Sequence, residues 1–82
     1  MIAYVLIKTR AGRSKSLVEQ LETFDGVEEA VAIYGGADVI AKVEVPDSSA
    51  LARLVMEKIQ GISSVESTQT FIAVEGMGSP PE

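Results

Sequence analysis

Two short segments set what this chain can fold into. Phe24-Asp25-Gly26-Val27 and Ile59-Gln60-Gly61-Ile62 are both apolar-polar-Gly-apolar, and they stand 35 residues apart in a chain of 82. Each closes a helical stripe and opens a strand, so the sequence reads as two βαβ halves. The first strand covers 2–7, a run of β-branched and aromatic residues. It is apolar on both faces, with Ile2, Tyr4 and Leu6 on one and Ala3, Val5 and Ile7 on the other. Such a strand belongs in the middle of a sheet that is covered on both sides. Ser14 is the expected N-cap of a helix through about Phe24, whose stripe is Leu17, Val18, Leu21 and Phe24. Strands over 27–34 and 37–45 follow, and the Gly35-Gly36 pair between them signals a hairpin, because tight hairpin turns use positive φ. Pro46 stops the third strand, and Asp47 or Ser48 caps a second helix with the stripe Leu51, Leu54, Val55 and Ile59. A last strand is expected over 62–75, bent at Ser63-Ser64, with 76–82 as a loose tail.

The order β-α-β-β-α-β, with right-handed crossovers, interleaves into a four-stranded antiparallel sheet with both helices on one face. The expected fold is therefore α+β, a ferredoxin-like plait, with one domain over 2–75. A domain this small has a thin core, yet 46% of its residues are hydrophobic. The plait gives that surplus a place on the sheet face the helices leave open. Either Ile2, Tyr4 and Leu6 or Ala3, Val5 and Ile7 point there, and Ala30, Ala32, Ala41 and Ala73 would let a second sheet approach closely. A homodimer joined sheet to sheet is expected, with higher assembly through the hairpin and last strand. The alternative is a monomer whose open face is mixed.

The chain contains no Cys, His or Trp and carries 12 acidic against 7 basic residues, a formal charge of −5. A thiol nucleophile, a disulfide, a Cys/His metal site and an imidazole base are all excluded. No catalytic residue, metal ligand or cofactor is expected. The acidic balance argues against direct nucleic-acid binding. The apolar run 2–7 is too short for a membrane span or signal segment, so a cytoplasmic protein is expected. Lys8, Arg10, Arg13 and Lys15 cluster around the first helix start, either to hold an anion or simply to solvate a loop. At Tyr34-Gly35-Gly36-Ala37-Asp38, the glycine amides could meet a ligand carboxylate and Asp38 its ammonium group; equally, the glycines make the turn and Asp38 caps it. Ser63, Ser64, Ser67, Thr68 and Thr70 either hydrogen-bond a ligand or are ordinary strand residues.

Together these residues resemble a known family. Ala3-Tyr4-Val5-Leu6-Ile7, Gly26-Val27, Tyr34-Gly35-Gly36-Ala37-Asp38 and Val65-Glu66-Ser67-Thr68-Gln69-Thr70 resemble, in order and spacing, the effector-binding RAM domain of the Lrp/AsnC transcription regulators. The resemblance runs from 2 to about 75. It implies sheet-paired dimers that join into octamer-like rings, with an amino acid or related molecule bound between dimers near the hairpin. Gly35 and Asp38 match the family's hairpin glycine and aspartate, and Thr68 and Thr70 match its hydroxyl-bearing last strand. Gly36 stands where the family commonly has a polar residue, and Ala37 where it often has an aromatic one. The expected ligand residues are thus Gly35, Gly36, Ala37, Asp38, Thr68 and Thr70. The family's helix-turn-helix segment is absent from these residues, so a stand-alone RAM protein is expected, with itself, an amino acid and full-length Lrp/AsnC regulators as partners. An ACT-like module binding at 10–13 and a purely structural oligomerisation domain are the alternatives. Small ferredoxin-like enzymes usually centre on His, Trp or Asn, and this sequence has none of the three.

Overall fold

The computed structural model describes residues 1–78; of the tail expected over 76–82, residues 79–82 lie outside the described residues. The elements are β1 (Ile2–Thr9), α1 (Ser14–Leu21), β2 (Val27–Ala32), β3 (Val39–Glu44), α2 (Ser48–Arg53), a π-helical continuation (Leu54–Ile59) and β4 (Val65–Ile72). The sheet order is β2-β3-β1-β4, and every neighbouring pair is antiparallel. This is the ferredoxin-like α+β plait the sequence predicts.

Register decides which face of β1 is covered. Ala3, Val5 and Ile7 are fully buried and share the core with Val39, Ala41 and Val43 of β3, Leu17 and Leu21 of α1, and Leu54, Val55 and Ile59 of the π-helical segment. Ile2, Tyr4 and Leu6 therefore form the open face, beside Glu44, Lys42 and Ile40 of β3. The alanines expected on the open face are divided. Ala30 pairs with Ala41 and both are buried in the core, and Ala32 pairs with Val39, so these three face the helices. Small side chains there let the helices settle close to the sheet. Only Ala73, whose N–H donates to the Ile2 carbonyl at 2.8 Å, borders the open face with Ile2 and Tyr4.

The helix ends show which local signals hold. Asp47 caps α2: it is extended, and its Oδ1 accepts from the Ala50 N–H at 2.8 Å. Ser14 does not cap α1; it is the first helical residue. Arg13 stands in the cap position without a side-chain bond, and Ser16 Oγ donates back to the Arg13 carbonyl at 3.1 Å. The two glycine junctions that fix the repeat work differently. Gly26 has φ +94°, and a Cβ on it would also meet Val45 Cγ1 at 3.3 Å. A Cβ on Gly61 would lie 2.7 Å from the Glu57 carbonyl oxygen, so this glycine is required by close approach. That crowding sits where the helix widens, with Gln60 N–H bonded to the Val55 carbonyl at 2.8 Å, a five-residue span.

At the β-bulge between Val27 and Glu29, two carboxylates meet. A hydrogen bond to Glu44 and the Glu44 charge lift Glu28 above its ordinary value, and Lys42 partly opposes them. A raised carboxyl pKa means the folded chain holds a proton that the unfolded chain has released. The pair's favourable contribution is thus present in acid and lost as pH rises through the Glu28 titration. Glu28→Gln should melt like wild type at about pH 4 and above it at about pH 7, which paired melting curves will check.

Candidate functional site

The hairpin between β2 and β3 is closed by the Ile33 N–H to Asp38 carbonyl bond at 2.9 Å, leaving four residues in the loop. Tyr34 at its tip is fully exposed. Gly35 has φ +146°, and nothing lies within 4 Å of where a Cβ on Gly35 or Gly36 would stand. β1 runs up beside this loop: Asp38 N–H donates to the Ile7 carbonyl at 3.0 Å, and Thr9 N–H donates to Asp38 Oδ2 at 3.0 Å. Ser64 completes the anchor by accepting from Thr9 Oγ1 and from Arg10 N–H, both at 2.9 Å.

Where hairpin, β1 and β4 converge, the open face carries a hollow of about 500 Å³. Gly36 and Ala37 form its hairpin wall, Leu6 and Lys8 of β1 its floor, and Ser67 to Gln69 of β4 the opposite side, with Ile33 at the edge. Three of the six expected residues, Gly36, Ala37 and Thr68, thus border one space. Thr68 also accepts a hydrogen bond from Gln60 Nε2 at 2.8 Å, which ties β4 to the end of the π-helical segment. Gly35, Asp38 and Thr70 do not line the hollow. Thr70, paired with Val5, stands on the helix side of β4, as does Thr68, which is paired with Ile7 and whose hydroxyl is engaged by Gln60, and one Asp38 oxygen is committed to Thr9.

Lys8, Leu6, Ser67 and Gln69 were outside the expected set, yet the alternation of β1 carried the signal. Ile2, Tyr4, Leu6 and Lys8 share a face, and Lys8 is its one charged member. A larger hollow, about 640 Å³, lies at the other end of the same face, bordered by Ile2, Tyr4, Glu44 and the segment after β4. None of the expected residues is there, although Tyr4 Oη is buried without a hydrogen-bond partner. Among the described residues, no group of acidic side chains is arranged to hold a metal ion, and no helix is long and apolar enough to cross a membrane.

The Asp38 anchor has a measurable consequence. Thr9 is buried, with 7% of its surface exposed. Asp38→Ala leaves its N–H without an acceptor and should cost about 1–3 kcal/mol in urea unfolding, whatever ligand is present.

The Lrp/AsnC ligand-binding domain model matches residues 2–79. The chain belongs to the Lrp/AsnC ligand-binding domain family. A hypothetical protein of Pyrococcus horikoshii is 33% identical, with each chain covering 94% of the other and a TM-score of 0.85. An uncharacterized helix-turn-helix-type transcriptional regulator of the same organism is 29% identical over 72 residues, 88% of this Lrp/AsnC domain and 46% of that protein. The chain spans about half the length of the curated relatives first matched. A transcriptional regulator of Neisseria meningitidis, solved as an L-Met complex, superposes with a TM-score of 0.84, covering 95% of this chain and 52% of its own. At 15% identity that likeness is one of fold. The curated relatives first matched by this Lrp/AsnC domain are named transcriptional regulators.

Proposed function

We propose that this Lrp/AsnC domain is an oligomeric effector-binding module that takes a small molecule, an amino acid by class, in the hollow beneath the hairpin. The observation that carries the reading is that the hairpin residues Gly36 and Ala37 and the sequence-distant Thr68 border one space of about 500 Å³. That volume lies within the range of small-ligand sites. The L-Met complex of the Neisseria regulator supports the ligand class. The apolar open face supports a homodimer: Val31 and Phe71 remain about half exposed beside Tyr4, Leu6 and Ile40. Further pairing of dimers gives a ring, and full-length Lrp/AsnC regulators are the partner class such a cytoplasmic module serves.

The test is a thermal-shift screen with the L-amino acids on the wild type and on Ala37→Trp, which fills the hollow. At ten times its Kd a bound effector adds about 1.4 kcal/mol, or about 5–10 °C for a domain of this size. At least one amino acid should raise the melting temperature of the wild type, and Ala37→Trp should lose that shift while still unfolding cooperatively. An equal shift in Ala37→Trp would place the effector elsewhere.

A further inference from the structure

The charges around the hollow are lopsided. Among the described residues that border it, Lys8 is the only charged one, and the others are apolar, hydroxyl or amide. Lys8 is exposed and pairs in register with Ser67, as Leu6 pairs with Gln69, so an ammonium group, a hydroxyl and a carboxamide stand along one side. No carboxylate bonds to Lys8 among the described residues. Asp38, at the foot of the hairpin, does not border the hollow, and its Oδ2 accepts from the Thr9 N–H. Leu6 and Ile33 supply an apolar floor and edge beside this polar side.

Taking the hollow as the effector site, we infer that its ligand is read as a carboxylate, with Lys8 as the anchor, and that the α-ammonium group is not a recognition element. A compact ammonium beside two neutral hydrogen-bonding side chains suits one carboxylate. A ligand ammonium in the same place would meet Lys8 as a like charge and find no anion among the described residues that border the space. The rest of the chain makes this local sign decisive. With a net charge of −5 the protein as a whole repels anions, so a cation at the site itself adds directly to the hold on a carboxylate. The ligand class is therefore wider than amino acids: 2-oxo acids of the same side chain fit the same recognition. An exposed lysine also makes binding sensitive to ionic strength.

Calorimetric titration of the full chain with matched ligands tests this. Three sets serve: L-leucine, 4-methyl-2-oxopentanoate and 3-methylbutylamine; L-methionine and its 2-oxo acid and amine; L-phenylalanine and its 2-oxo acid and amine. The amino acid and 2-oxo acid of the best set should bind within about threefold of each other, and the amine should give no binding. Lys8→Gln should weaken both acids by about tenfold or more while leaving the melting temperature of the free protein unchanged; Lys8→Arg should keep most of the affinity. Both acids should bind more weakly in about 0.5 M salt than in about 0.05 M. Binding of the amine, rejection of the 2-oxo acid, or unchanged affinity in Lys8→Gln would overturn the carboxylate anchor while leaving the hollow as the effector site. Failure of every member of the three sets to bind the wild type would overturn both.

Discussion

Ile59→Ala is expected to destabilise the domain by about 2–5 kcal/mol, the range for removing a large aliphatic side chain from a closed core. Ile59 is completely buried and lies in the same core cluster as Ile7, Leu21 and Val43. It ends the π-helical segment, two residues before Gly61, where even a Cβ would lie 2.7 Å from the Glu57 carbonyl oxygen. Collapse into the space left behind is therefore restrained, which favours the upper part of the range. A domain of this length has about 5–15 kcal/mol to lose. The melting temperature should fall by about 10 °C or more. Ile59→Val, at about 0.5–1.5 kcal/mol, provides the graded comparison. Circular dichroism at one fixed protein concentration measures both, since any oligomer makes stability concentration-dependent.

Why the fold was so legible is clear from such residues. The stripes Leu17-Leu21 and Leu54-Val55-Ile59, the Gly26 junction and the Asp47 cap are local signals, and each occupies the place its chemistry demands. What the sequence could not decide was the side of β1 that the helices cover, because both of its faces are apolar. Packing decides it, and it sends Ala30, Ala32 and Ala41 to the helix side. The strands also stop short of the hairpin, at Ala32 and from Val39, because Ile33 closes the turn by bonding to Asp38 and residues 34–37 form the four-residue loop. The π-helical widening has no composition signal; it shows only as the Gln60 N–H bond to the Val55 carbonyl, next to Gly61.

Ile40→Glu is expected to convert the protein from an assembly to a monomer of 8.7 kDa. Ile40 stands in the centre of the open face, between Val31 of β2 and Leu6 of β1, and borders neither hollow. In a sheet-to-sheet dimer a glutamate there is buried without a partner, a cost on the order of 3 kcal/mol or more, and two-fold symmetry applies it twice. In the monomer the same side chain reaches water, so the fold is kept. Light scattering with chromatography reads the mass, and circular dichroism confirms the fold. A wild type that is itself monomeric would remove the dimer from the account.

Half of the residues expected from the sequence border the candidate hollow. The hairpin motif led to Gly36 and Ala37, and the hydroxyl-rich strand to Thr68, because these are matched by order along the chain. Asp38 and Thr70 show the limit of that reasoning. Register assigns the side chains: Thr70 lies across from Val5, as Thr68 does from Ile7, and Asp38 meets Thr9, pairings that no local pattern specifies. In the sequence Lys8 groups with the basic loop that follows it. Only the convergence of β1, β4 and the hairpin separates it from Arg10, Arg13 and Lys15 and sets it against Ser67 and Gln69.

The most direct measurement of the effector site is amide NMR shift mapping during titration with the amino acid that gives the largest thermal shift. The resonances of Gly36, Ala37, Ser67, Thr68 and Gln69, which border the hollow, should move together along one saturating curve. Those of Arg53 and Lys58, on the far end of the helix layer beside Gly26 and Val45, should stay in place. Shifts confined to residues 10–13, or to Tyr4, Ala73 and Gly76 around the larger hollow, would contradict an effector site under the hairpin.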